Sequence, residues 1–221
     1  FWESLKKGIA LISFDYGIDG VSVEARKYAK NLNRILGEAL PIHWIAGQIS
    51  CGFTHDAGEN WNFLEISELL SFNQWPEYKT LFETKLARGD ELYNQSARKI
   101  WRDACELKIK LETYIKKHQI GLLIPFNVNS NPGSLPLSLA LVMVSESLEL
   151  PTLNSCHDFY WEMGVPPNLR KPGEPKGPRD HFFTNHHIGE VFSTVTSLYP
   201  WDSPLWYQAT INRDQSTALI Y

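Results

Sequence analysis

Residues Gly8 to Leu36, GIALISFDYGIDGVSVEARKYAKNLNRIL, constrain this chain more than any other stretch. Ile9 to Phe14 is a short apolar run without polar alternation, held between Gly8 and Asp15, the pattern of a strand buried on both faces of a parallel sheet. The loop Asp15-Tyr16-Gly17-Ile18-Asp19-Gly20 follows, with two glycines that can take positive φ and let a ligand approach the backbone. A helix then begins. Ser22 is its expected N-cap, and Val21, Ala25, Tyr28, Leu32 and Ile35 repeat at three- and four-residue steps as a sheet-facing stripe. Such a strand, glycine loop and helix aim free N–H groups and a positive dipole end above the strand, where a phosphate or carboxylate is stabilised. The spacing G-x-x-G is neither the dinucleotide fingerprint nor a P-loop, so nicotinamide chemistry and Walker-type phosphoryl transfer have no support. Plain turn chemistry is the commoner account of such a loop.

Further along, strands are expected at Pro41 to Ser50, near Asn62 to Ile66, at Gln119 to Phe126, at Pro151 to Ser155 and at Tyr207 to Asn212. The longest helical pattern runs from Gly89 to His118 and reads as a sheet-covering helix, and Leu135 to Leu148 reads as an apolar helix. The remainder from Asp180 reads as a strand or helix pair, closed by a strand and a helix with Asp214 as N-cap. The alternation predicts an α/β fold, a Rossmann-like open parallel sheet with helices on both faces.

Two loops leaving strands carry dense polar chemistry. Asn127-Val128-Asn129-Ser130-Asn131-Pro132-Gly133 offers more hydrogen-bonding groups than a turn needs. Cys156-His157-Asp158-Phe159-Tyr160-Trp161-Glu162 interleaves ionisable and aromatic side chains, the mixture by which sugars are recognised. Since open α/β sheets gather ligands at their C-terminal edge, Gly17, Gly20, Asn129 and His157 are expected to converge on one concave surface. Val165 to Pro178 carries five prolines and reads as a surface loop.

Composition narrows the classes. At 221 residues and 43% hydrophobic the chain supports one α/β domain over residues 1–221. A net charge of −4 without a basic run argues against nucleic acid or an anionic membrane surface as partner. The longest uncharged apolar run, Leu135 to Val144, is too short to span a bilayer, so no transmembrane segment is expected. Cys51, Cys105 and Cys156 are odd in number and widely spaced, which favours reduced thiols in the cytoplasm over a disulfide framework or zinc site. The pair His186-His187 has no nearby Cys and no H-E-x-x-H spacing, so no metal is expected there. An α/β hydrolase is disfavoured because no G-x-S-x-G elbow occurs. The chain opens on Phe1 and stops soon after a helix begins, which reads as a fragment of a longer protein.

Four stretches resemble the N-terminal, acceptor-side Rossmann-like domain of retaining GT-B glycosyltransferases of the glycosyl transferase family 4 group. They are Phe14 to Leu32, Asn127 to Leu141, His157 to Glu162 (HDFYWE) and Ile211 to Ile220 (INRDQSTALI). The resemblance implies one half of a GT-B fold, in which this domain binds a hydroxyl acceptor. A second, C-terminal domain, not contained in these residues, grips a nucleotide-sugar donor. It implies Gly17 and Gly20 as the loop approaching the donor phosphates and His157 as the active-site histidine contacting the transferred sugar. Asn127, Asn129 and Asn131, with Asp158, Tyr160 and Glu162, are the implied acceptor- and sugar-binding residues. No cofactor or obligatory metal is implied, and the isolated chain is expected to be inactive. Asp15 and Tyr16 stand where many relatives have a His-Gly turn. The alternative reading is a non-catalytic α/β ligand-binding or regulatory module that keeps the fold.

Overall fold

The run of apolar residues after Gly8 forms the centre of a parallel sheet in the computed structural model, which describes residues 7–36, 40–55 and 57–220. In chain order the elements are β1 (Ile9–Ile12), β2 (Asp15–Tyr16), α1 (Gly20–Leu36), β3 (Ile42–Ala46), β4 (Gln48–Ile49), α2 (Cys51–Thr54) and β5 (Trp61–Glu65). They continue with α3 (Glu77–Phe82), α4 (Glu91–His118), β6 (Leu122–Pro125), α5 (Leu135–Leu148), β7 (Thr152–Cys156), α6 (Gly189–Leu198), β8 (Trp206–Thr210) and α7 (Arg213–Ile220). Six strands lie parallel in the order β5-β3-β1-β6-β7-β8. Counted within the sheet this is the doubly wound order 3-2-1-4-5-6, so the chain reverses its direction of travel between β1 and β6. Ile9 pairs with Ile42 on one side and Leu122 on the other, and all four β1 residues are fully buried.

Strand alternation divides the core in two. Ile9, Leu11, Ile42, Trp44 and Ile124 face Ala25 and Ala29 of α1, whose small side chains let the helix lie close. Ala10, Ile12, Ile45 and Leu123 face the opposite layer, built by Leu81 and Phe82 of α3, Leu107 and Leu111 of α4, Leu137 and Leu141 of α5, and Val195 of α6. Each fully buried leucine there contributes roughly 1.5–3 kcal/mol relative to exposure. α5 is apolar on nearly every side because it is buried almost all round.

The helix ends correct two expectations. α1 is capped by Asp19 and not by Ser22: Asp19 Oδ1 accepts from Ser22 N at 2.9 Å, so the helix starts at Gly20, ahead of the start that a Ser22 cap would give. α7 is capped by Asn212 and not Asp214, with Gln215 N donating to Asn212 Oδ1 at 2.8 Å. The first strand stops at Ile12, because Phe14 turns its carbonyl to Gly47 N and the chain resumes as β2, which pairs with β4 in a small second sheet. The short helix α3 had no clear periodic signal, and the segment from Asp180 forms α6 between two turns before β8. Among the described residues no helix is long and apolar enough to cross a membrane.

Candidate functional site

The loops leaving β6 and β7 are fastened together by one side chain. Asn127 has left-handed backbone (φ 58°), which Asn tolerates better than most residues. Its Oδ1 accepts from Ser130 Oγ at 2.6 Å, Asp158 N at 3.1 Å and His157 N at 3.3 Å. From the other side Gln215 of α7 donates Nε2 to the His157 carbonyl at 2.9 Å. The His157 backbone is therefore held at both its amide and its carbonyl. Its ring stands edge-on to Phe126 and its Nε2 lies 3.4 Å from Ser155 Oγ.

His157 lines an open cleft of about 440 Å³ with Gly20, Glu24 and Tyr28 of α1, Ser155 of β7, and Ala209, Thr210 and Ile211 at the end of β8. A carboxylate, a phenol, two hydroxyls and an imidazole around one hollow supply both donors and acceptors, the chemistry that holds a hydroxylated ligand. Gly20 is an exposed residue on the border of this hollow. A Cβ built there would meet nothing within 4 Å, so the absent side chain leaves open space.

Gly17 does not face the same hollow. It borders a neighbouring depression of about 360 Å³ with Asp15, Ile18, Asp19, Gln48 and Ser50. Its N–H donates to Ser22 Oγ at 2.9 Å, and the Ser22 hydroxyl in turn donates to Asp19 Oδ2 at 2.6 Å. The loop thus places its own carboxylate at the helix N-terminus, where the dipole stabilises it. Neither Gly17 nor Gly20 adopts the positive φ that the sequence allowed them. Burial, reinforced by the negative charge of Asp19, raises the Asp15 carboxyl above its ordinary range.

The asparagines separate by depth. Asn129 is fully buried, and its Nδ2 braces the carbonyls of Ser138 at 3.2 Å and Leu198 at 3.4 Å, so it does not join the concave surface. Asn131 is also buried. The cause is the path of the loop, which folds against β1's outgoing segment: a Cβ on Gly133 would lie 2.9 Å from the Phe14 ring, and Phe72 N donates to Gly133 O.

The HDFYWE residues are largely engaged within the protein. Tyr160 is buried against Trp161 and Phe183, and burial pushes its phenol up to about 12, so it belongs to the core and offers no stacking platform. Glu162 accepts from Phe159 N at 2.6 Å and from Gln215 Nε2 at 3.0 Å. Asp158, about half exposed, accepts from Arg179 Nη2 at 2.7 Å. Arg179 also donates to the Phe159 carbonyl at 2.6 Å and reaches Glu162 at 3.5 Å. Cys156 is buried, and burial raises its thiol to about 12, which removes it as a nucleophile. His186 and His187 bond the carbonyls of Phe183 and Leu86.

Sequence reasoning missed Ser155, Glu24, Tyr28 and Thr210 as cleft residues and Arg179 and Gln215 as fasteners. Two carboxylates beside buried aromatics called for a cation, which is the signal that could have found Arg179. No family model, curated protein or solved structure matches the chain.

Proposed function

We propose that this chain is the acceptor-binding half of a glycosyltransferase that moves a sugar from a nucleotide-sugar to a hydroxyl acceptor with retention of configuration. The observation that carries this reading is the shared cleft of Gly20 and His157, far apart in sequence and together at the C-terminal edge of a doubly wound sheet. In this scheme the imidazole of His157 contacts the transferred sugar and stabilises charge as the bond to the diphosphate breaks. Glu24, Tyr28 and Thr210 bond sugar or acceptor hydroxyls. A second domain grips the nucleotide and closes the cleft, and the nucleotide-sugar is the co-substrate. The open space at Gly20 lets the donor approach the first turn of α1. The free thiols of Cys51, Cys105 and Cys156 suit a reducing cytoplasm.

One observation favours a second reading, a non-catalytic ligand-binding or regulatory module. The Gly17 N–H is engaged by Ser22, and Asp19 occupies the helix end, so this loop offers a diphosphate few unpaired donors and adds negative charge.

Transfer kinetics and thermal stability of His157→Ala in the full-length gene product separate the two. A residue touching the reacting sugar should lose about 2–4 kcal/mol of transition-state stabilisation, read as a fall in kcat, with the melting temperature unchanged. Residues 1–221 alone should turn over no donor, because a cleft with one wall cannot orient two substrates. Wild-type kcat in a well-folded variant ends the case for His157.

A further inference from the structure

The ring of His157 has two nitrogens in different surroundings. Nε2 lies 3.4 Å from the Ser155 hydroxyl, and Nδ1 has no partner among the described residues. Ser155 is itself buried, at 3% exposure, and His157 Nε2 is the single side-chain partner of its hydroxyl among those residues. A neutral imidazole carries one N–H, and the bond made at one nitrogen decides what the other presents. Were Nε2 the protonated nitrogen, it would donate to Ser155 Oγ and leave the buried serine O–H without an acceptor. Buried donors are seldom left so. The opposite assignment satisfies both groups, with the serine O–H donating into the Nε2 lone pair.

We infer that Ser155 is a positioning residue that holds His157 as its Nδ1–H tautomer, so that the ring's unpartnered nitrogen presents a hydrogen-bond donor and not a lone pair. The backbone supports this fixing, because Asn127 holds the His157 amide and Gln215 its carbonyl. The atom that meets Nδ1–H must then be an acceptor, such as a sugar hydroxyl or ring oxygen. The hydroxyl that is to be deprotonated finds no base in this ring. This deepens the glycosyl-transfer reading and rests on it for the identity of the ligand. The tautomer itself does not depend on that reading.

Long-range ¹H–¹⁵N spectra of the histidine-labelled chain test it, with the His157 signals assigned by their loss in His157→Gln. At about pH 8 the wild-type ring should show the Nδ1–H pattern. Ser155→Ala should reverse it to the Nε2–H form that a free imidazole prefers, and Ser155→Thr, which keeps the hydroxyl, should restore the wild-type pattern. An Nε2–H ring in the wild type overturns the inference without any variant. An unchanged tautomer in folded Ser155→Ala overturns it as well. Absence of glycosyl transfer in any of these proteins would count against the proposed function and leave the tautomer result standing.

Discussion

Acidification should destabilise this protein through one histidine at the opposite end of the sheet from the cleft. His43 on β3 is 2% exposed, its Nδ1 lies 3.0 Å from the Tyr114 hydroxyl, and the His118 ring is 5.1 Å away. Burial, and then the charge of His118, lower its pKa from 6.5 to about 4. The folded state therefore holds His43 neutral where the unfolded chain already binds a proton. Its contribution to stability is complete above 6.5 and is lost as pH falls from there towards 4. At about 1.4 kcal/mol per pH unit, the loss between about pH 7.5 and about pH 4 comes to about 3 kcal/mol, a large share of a typical domain's stability. Urea titrations at a series of pH values, on wild type and on His43→Gln, isolate this one site. The glutamine keeps a polar group for Tyr114 and cannot take up a proton. The variant should start less stable at neutral pH and lose less on acidification, so the two profiles converge. Parallel profiles from neutral to acid pH would refute the argument that His43 is kept neutral by burial.

Gly20→Ala should leave stability unchanged or raise it by about 0.5 kcal/mol, since alanine is the better helix former and meets no atom here. If Gly20 borders a ligand site, the same variant should weaken ligand binding, and equal affinities in calorimetric titrations would dissociate the glycine from the site. Arg179→Gln removes the cation that Asp158 and Glu162 share. It should cost about 2 kcal/mol in chemical denaturation and speed proteolytic cleavage within 165–178, and an unaltered cleavage rate would show that the segment is held by other contacts.

Much of the fold was legible because parallel strands buried on both faces are apolar throughout. Ile9 to Ile12 and Leu122 to Pro125 carry no competing pattern, and α4 repeats its stripe over 28 residues. The site was harder to read for a physical reason. Asn127 and Asn129 share a type, a loop and a spacing of two, yet one is a hub at the surface and the other a brace in the core. The difference lies in a single left-handed backbone and in the contact between Gly133 and Phe14, neither of which has a periodic signature. Tyr160 was placed with the sugar-facing residues because aromatic stacking and aromatic burial call for the same side chain. Serine suits a cap position, but Asp19 three residues earlier accepts from the Ser22 amide itself, with a longer, charged side chain, and so places Ser22 inside the first turn. Arg179 escaped notice because its carboxylate partner is 21 residues away, across a proline-rich segment.

The position of β1 between β3 and β6 also sets an order in time. Pairing Ile9 with Ile42 closes a loop of about 33 residues, whereas pairing it with Leu122 closes one of about 113, and the entropy of closure differs by about 1 kcal/mol. In the unfolded ensemble the first encounter is thereby favoured about sixfold before any side chain is counted. On the ribosome the bias is stronger, since the residues of β3 and β5 emerge long before those of β6. For the whole of that interval the far edge of the central strand is an open template of unpaired amides and carbonyls, on a strand whose four side chains are all apolar.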